Sequence, residues 1–179
     1  MNQIKKGDIV PPFTTEDIDG NQVSLEHFRG KKVLLTFYRV ASCPFCNLRV
    51  NQVIQKHAVW KEHNLHVIAV FASSADEIKQ YAGKQDPPFA IIADPEEKLY
   101  KRFGIQHSRL GMLMAMFRMK RMIQMMAGGF FSLKSMTQQP VLPADFLIDE
   151  EGCIANAYYG KDFGDHVSFE VVEEWVGSW

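Results

Sequence analysis

The chain has 179 residues, 46% of them hydrophobic and 23% charged, with a formal net charge of -1. That length suits one full domain and is short for two, the near-neutral balance supplies no general drive toward nucleic acid, and the longest apolar runs are too short to span a bilayer. Three cysteines do not make a disulfide framework, and Met1-Asn2-Gln3-Ile4-Lys5-Lys6-Gly7-Asp8 holds no apolar signal core. The default expectation is a cytoplasmic protein, where a vicinal dithiol is more often catalytic than structural.

In chain order, residues 7–25 read as an entry arm with a hairpin, Asp19-Gly20-Asn21 turning between Phe13-Thr14-Thr15 and Gln22-Val23-Ser24-Leu25. Phe28-Arg29-Gly30-Lys31 leads into Lys32-Val33-Leu34-Leu35-Thr36-Phe37-Tyr38, an apolar, β-branched and aromatic run that reads as a buried strand. Cys46, Val50, Val53, Ile54 and His57 then recur at helical spacing to about Glu62, with Asn64 as the stop. Leu65-His66-Val67-Ile68-Ala69-Val70-Phe71 is a second buried strand. Ser74-Ala75-Asp76-Glu77 is a capping box for a helix closed by Gly83. Residues 88–93 form a third strand, and Asp94-Pro95-Glu96-Glu97 caps a helix that stops at Gly104. Residues 143–149, the turn Glu150-Glu151-Gly152 and residues 153–159 make a terminal hairpin, and 167–176 a last helix. Strands alternating with helices, then a hairpin and a helix, describe an α/β domain over 1–179 with a mixed central sheet flanked by helices.

The stretch that carries chemistry is Ser42-Cys43-Pro44-Phe45-Cys46, a Cys-x-x-Cys pair on a strand-to-helix turn. Backbone N–H groups and the positive end of the helix dipole point at the sulfurs and favour thiolate. Pro44 suits the first helical turn, where a missing N–H costs nothing. Two plainer readings compete. Half of a zinc site needs two more ligands, and only Cys153 and scattered histidines remain to supply them, so no metal or cofactor is implied. Inert buried thiols are common, but the helix-start position argues against that here.

The order of elements and the Cys-Pro-x-Cys turn resemble the thioredoxin fold. More narrowly, Phe13, Asp19-Gly20, Phe28-Arg29-Gly30-Lys31, Phe37-Tyr38 and Phe146-Leu147-Ile148-Asp149-Glu150-Glu151-Gly152 are similar to the redoxin branch that includes alkyl hydroperoxide reductase-type peroxiredoxins. The resemblance covers the chain except the Met-rich stretch. Peroxiredoxins carry Pro-x-x-x-Thr-x-x-Cys, ending in the cysteine that attacks peroxide. Counted from Phe37-Tyr38, that cysteine falls on Cys46, the threonine on Cys43 and the proline on Arg39. The family's second arginine, before the Phe-Leu-Ile-Asp strand, appears as Pro143. Thioredoxins instead place a cis-proline there, facing the dithiol, and Leu142-Pro143 fits that role.

The resemblance implies a thiol-dependent oxidoreductase with two open readings. In one, Cys43 is the attacking thiolate at the exposed helix start and Cys46 resolves the mixed disulfide. In the other, Cys46 is oxidised to sulfenic acid and Cys43 condenses with it. Both end in a Cys43–Cys46 disulfide, restored by a thioredoxin- or glutathione-type thiol reductant after reaction with a disulfide or peroxide. The Pro-Phe dipeptide resembles the glutaredoxin type and implies a potential around −200 to −230 mV. Arg39 and Arg49 stand as candidates for favouring thiolate or contacting substrate, against the plainer expectation of solvated or paired surface arginines. Pro143 is the candidate that holds substrate backbone.

Cys153 reads as a strand thiol, and Asp165-His166 as a loop or capping pair in preference to a proton relay. Residues 108–139 hold Met112, Met114, Met116, Met119, Met122, Met125 and Met126 with Arg109, Arg118, Lys120 and Arg121. They read as a helical insertion packed on the domain, with a lid, a partner or homodimer surface, or a membrane-surface helix as alternatives. Gly128-Gly129 ends that helix. A non-catalytic redox sensor using it to hold a partner is the expectation from a different functional class.

Overall fold

The structure, a computed structural model, describes residues 3–108 and 140–177. Apart from Ser108, the expected helical insertion lies outside the described residues. The N-terminal hairpin pairs β1 (Thr14–Glu16) with β2 (Gln22–Ser24). Its turn is held by the Asp17 carboxylate, which accepts the backbone N–H groups of Asp19 and Asn21 at 2.9 and 2.8 Å.

β3 (Lys32–Phe37), β4 (Leu65–Phe71) and β5 (Ala90–Ala93) run parallel. β6 (Ala144–Ile148) and β7 (Ile154–Tyr159) complete the sheet antiparallel, in the order β5-β4-β3-β6-β7. β3 at the centre is apolar throughout because both of its faces are covered. Val33, Leu35 and Phe37 pack with Phe146, Tyr100, Phe103 and the entry-arm residues Val10 and Phe13. Leu34 and Tyr38 face the opposite way, under the helix α1 (Pro44–Glu62). Trp60 closes the far end of that helix, fully buried and edge-on to Phe169.

Several boundaries differ from the sequence reading, each with a local cause. α2 (Ala75–Gln80) starts as expected, Ser74 Oγ accepting Glu77 N–H, but stops before Gly83, which lies in a 3₁₀ turn, Ala82–Gln85. β5 begins at Ala90, since Pro88 brings no N–H to a ladder. α3 (Lys98–Arg102) is short, and the Asp94 carboxylate caps it by accepting Lys98 and Leu99 N–H at 2.9 and 2.7 Å. α4 (Phe169–Val176) begins two residues late, because Val167 N–H donates to the Asp145 carboxylate at 2.8 Å and Ser168 becomes the N-cap.

Gly160 shows how closely the loop after β7 approaches β6. A Cβ there would meet the Asp165 carbonyl oxygen at 2.3 Å and Pro143 Cγ at 2.9 Å. Gly160→Ala is therefore expected to cost about 1–3 kcal/mol of stability, as overpacking does. A denaturant midpoint equal to that of the wild type would show that this loop gives way freely.

Candidate active site

The chain leaves β3 through a loop several of whose backbone polar groups are tied inward. Ala41 N–H donates to Ser73 Oγ (3.0 Å) and Cys43 N–H to the Val40 carbonyl (3.0 Å). The Asn47 side-chain amide reaches back to the Ala41 and Cys43 carbonyls at 2.7 and 2.9 Å. Cys43 is the N-cap of α1 with Pro44 next, and its sulfur makes no capping bond. The loop thus presents Cys43 Sγ to the helix start, with Cys46 one turn further on.

The expected exposure of Cys43 is not found. Cys43 is 1% exposed and Cys46 0%, and both share one buried cluster with Tyr38, Val40, Ala41, Ile78 and Ala82. Arg39 is likewise no surface arginine. It is 2% exposed, its guanidinium stacks 3.4 Å from the centroid of Phe163, Nε donates to the Val141 carbonyl (3.1 Å) and Nη1 to Cys43 Sγ (3.3 Å).

These contacts split the two thiols. Burial alone would raise the Cys43 pKa; the hydrogen bond from the Cys46 thiol, followed by the Arg39 charge, outweighs it and brings Cys43 down to about 6. Cys46 moves up, first through burial and then because its proton is engaged by Cys43. Cys43 is therefore the thiolate of the pair near neutral pH.

A second buried cluster lies on the same face of the sheet. Asp145 stands opposite Thr36 across β3 and β6 and is 2% exposed. Its carboxylate accepts the Thr36 hydroxyl at 2.6 Å and lies 3.0 Å from His166 Nδ1. Burial opposes ionisation, but His166, the Arg49 charge and the Thr36 hydroxyl together hold the carboxyl below its usual range. Sequence reasoning missed Asp145. The signal was there: it shares a strand face with Leu147, an inward position, in an otherwise apolar Ala-Asp-Phe-Leu-Ile run. His166 thus pairs with Asp145, whereas Asp165 accepts the Tyr158 hydroxyl (3.0 Å) and Lys161 N–H (2.8 Å).

The AhpC/TSA family model matches residues 6–157. The chain belongs to the AhpC/TSA family. It is 25% identical over 176 residues to peroxiredoxin Bcp of Escherichia coli, covering 98% of this chain and 97% of that one. Among solved structures it is similar to peroxidoxin BcpB of Mycobacterium tuberculosis, with TM-score 0.70, 16% identity and coverage of 98% and 96%. It also resembles the thioredoxin domain of a thiol-disulfide oxidoreductase from Bacteroides vulgatus, with TM-score 0.60, 19% identity and coverage of 97% and 99%. The fold is thioredoxin-like, and the protein is a thiol-dependent oxidoreductase.

Within this AhpC/TSA domain, the Leu142–Pro143 peptide is not the cis bond expected from the thioredoxin pattern; no described peptide is cis. Pro143 is buried, and it is already engaged where it stands. Its carbonyl accepts Gly160 N–H (2.9 Å), while Leu142 N–H donates to the Gln106 carbonyl (3.0 Å). Arg39 reaches the backbone two residues before Pro143, at the Val141 carbonyl. Arg49, half-buried on α1, stacks 3.7 Å from Phe169 and donates to the Val167 carbonyl (2.6 Å). It lines a groove of about 280 Å³ with Phe45, Leu48, His166 and Phe169.

Two outcomes follow from this electrostatic layout. Arg39→Met should raise the Cys43 pKa from about 6 only part of the way to an ordinary thiol, because the hydrogen bond from Cys46 remains, and should lower its iodoacetamide reactivity at neutral pH. Arg39→Lys should recover only part, since one ammonium cannot reproduce the fork that holds both Val141 and Cys43. An unchanged alkylation profile in Arg39→Met would remove Arg39 from thiolate stabilisation. For Asp145, the folded carboxyl lies below its unfolded value of about 3.9, so its stabilisation is complete above that pH and lost as pH falls through the folded value. The gap in denaturant midpoint between wild type and Asp145→Asn should be widest above about pH 4 and close below it. A gap independent of pH would mean that shape, not charge, matters at this position.

Proposed function

We propose that the protein is a dithiol-disulfide oxidoreductase in which Cys43 attacks and Cys46 resolves. The observation that carries this reading is the Arg39 guanidinium on Cys43 Sγ, with no comparable side-chain cation hydrogen-bonded to Cys46 among the described residues. The Cys43 thiolate attacks a substrate disulfide, one substrate thiolate leaves, and a mixed disulfide forms. Cys46 then loses its proton and attacks Cys43 Sγ, the second substrate thiolate leaves, and two electrons have passed from the dithiol to the substrate. A thioredoxin- or glutathione-type thiol reductant restores the pair, as a reducing cytoplasm would supply. The groove beside Phe45 and Arg49 is where the substrate chain flanking the disulfide would run.

Peroxide reduction is the second reading, favoured by the likeness to peroxiredoxin Bcp. In the motif alignment the attacking sulfur would be Cys46. That sulfur is fully buried, its pKa is raised, and the position of the family's threonine hydroxyl holds a thiol, a weak donor. Losing one such donor typically costs a factor of about 10² to 10³. Hydrogen peroxide should therefore oxidise Cys46, in a Cys43→Ala variant that adds no hydroxyl at that position, at about the rate of an ordinary free thiolate. Insulin-disulfide reduction by the wild type should be readily measurable and lost in Cys43→Ser. A peroxide rate several decades above a free thiolate would make peroxidase the leading reading.

Oxidation should place a Cys43–Cys46 disulfide in the protein and leave Cys153 free. Cys153 follows the β6–β7 turn at the end of the sheet where Ile148 pairs with Val33, whereas Cys43 follows the opposite end of β3. The six residues of β3 separate them by about 20 Å at the usual strand rise, far beyond the Cα reach of a disulfide. Peptide mapping that found Cys153 in the dominant bridge would contradict the cycle.

A further inference from the structure

A buried phenylalanine ordinarily fills the core. Phe163 is 4% exposed, yet among the described residues it belongs to none of the three apolar clusters of the core. What lies on its face is a cation. The guanidinium carbon of Arg39 is 3.4 Å from the ring centroid, the separation of stacked planes.

The loop that carries the ring, residues 160–167 between β7 and α4, is closed on itself. Gly164 N–H donates to the Asp162 carboxylate (2.9 Å) and Asp165 N–H to the Asp162 carbonyl (3.1 Å). Lys161 N–H donates to the Asp165 carboxylate (2.8 Å), and Gly160 N–H ties the loop to the Pro143 carbonyl (2.9 Å). A ring carried on so tied a loop is a fixed surface, not a side chain that follows the guanidinium about.

The guanidinium is planar, and its five N–H groups lie in that plane. Nε donates to the Val141 carbonyl at 3.1 Å and Nη1 to Cys43 Sγ at 3.3 Å. Two bonds in one plane leave the group free to tip about the line that joins them, and tipping takes the N–H groups out of line with their acceptors, where a hydrogen bond weakens steeply. Contact with a ring face opposes the tipping and consumes no donor. It also keeps water off that side of the cation, so the charge acts on the sulfur through a medium of low dielectric. Against burial, the Cys46 hydrogen bond and then the Arg39 charge bring the Cys43 thiol down to about 6. The angle at which Arg39 meets the sulfur is therefore a lever on reactivity.

Resting on the reading in which Cys43 attacks, we propose that Phe163 is a positioning residue of the dithiol: its ring face seats the Arg39 guanidinium so that Nη1 points at Cys43 Sγ. The readiness of Cys43 is then set from the loop after β7 as well as from the loop after β3. The charged and titratable groups on the elements that meet here are Arg39 and Cys43 from the loop after β3, Cys46 from α1, and the buried Asp162 and Asp165 on either side of Phe163. Asp165 is turned toward Tyr158 and Lys161.

The test follows iodoacetamide alkylation of Cys43 in the reduced full chain between about pH 4.5 and pH 9, read on the Cys43 peptide by mass spectrometry. Wild type, Phe163→Leu, Arg39→Met and the double variant are compared. Leucine keeps an apolar side chain at this position and removes the ring face. Phe163→Leu should slow alkylation about fivefold near pH 5, and the gap should close above about pH 8, where the sulfur is ionised in both proteins. A ring that works through Arg39 has nothing to seat once the guanidinium is gone, so adding Phe163→Leu to Arg39→Met should leave the Arg39→Met profile where it was. A denaturant transition shows which variants fold. Should Phe163→Leu fail to fold, Phe163→Met decides, since methionine fills irregular gaps and equally lacks a face. A wild-type profile in the folded single variant overturns the proposal. So does slowing by the same factor at every pH, or an equal effect of Phe163→Leu with and without Arg39, either of which a merely structural role would give. If Cys43 of the wild type titrates as an ordinary thiol, it is the reading of Cys43 as the attacking thiolate that fails, and the two failures are told apart.

Discussion

Arg39 carries a full positive charge at 2% exposure, and a cation so placed is tolerable only with partners. Among its partners are the face of Phe163, the Val141 carbonyl and the sulfur of Cys43. The first two are fixed by the fold and hold the guanidinium rigid. The third is the one that chemistry changes. While Cys43 is a thiolate, the buried cation faces an anion there; once the sulfur is in a disulfide, that anion is gone. The reduced state is thereby favoured over the oxidised one, and a dithiol stabilised in this way is more oxidising than its bare sulfurs would be.

The scaffold serves that contact in a specific way. β3 is covered on both faces, so its end cannot shift without disturbing the cluster of Phe37, Tyr100 and Phe103 on one side or Tyr38 and Phe71 on the other. Tyr100 reinforces the point from below, donating its hydroxyl to the Tyr38 and Val70 carbonyls just where β3 and β4 end. Arg39 leaves a strand end fixed from two directions. The loop that follows is tied by Ser73 and Asn47, so little backbone freedom remains between the guanidinium and the sulfur.

Much of this was legible in the sequence because it is local. The apolar run before the cysteines, the helix after them, the Ser74 cap and the terminal hairpin all depend on neighbours within a few positions. The dithiol was legible for the same reason. What could not be read was contact across distance. Nothing near Arg39 in the chain says that Phe163 will cover it, and an arginine is ordinarily a surface residue. The exposure of Cys43 was misjudged on the same ground, since Ile78 and Ala82, which share its buried cluster, lie more than thirty positions on. Pro143 was read through a family pattern. In the structure the Pro143 carbonyl instead accepts Gly160 N–H, a contact seventeen positions away in the chain.

The two sulfurs sit one helical turn apart yet answer to different surroundings. Cys43 faces the Arg39 side, where a cation draws the sulfur toward its anion. Cys46 lies in the apolar interior above Tyr38, on the sheet face that also holds Asp145, and there burial keeps the proton on. A single helix dipole acting on both positions could produce only a graded difference, because its effect falls off within the first turn. The division here is sharper because the Arg39 side chain hydrogen-bonds Cys43, while at Cys46 burial outweighs the Arg39 charge. Cys-x-x-Cys spacing brings the thiols together; the residue four positions before the first cysteine, by the way it is buried, decides which of them is ready to react.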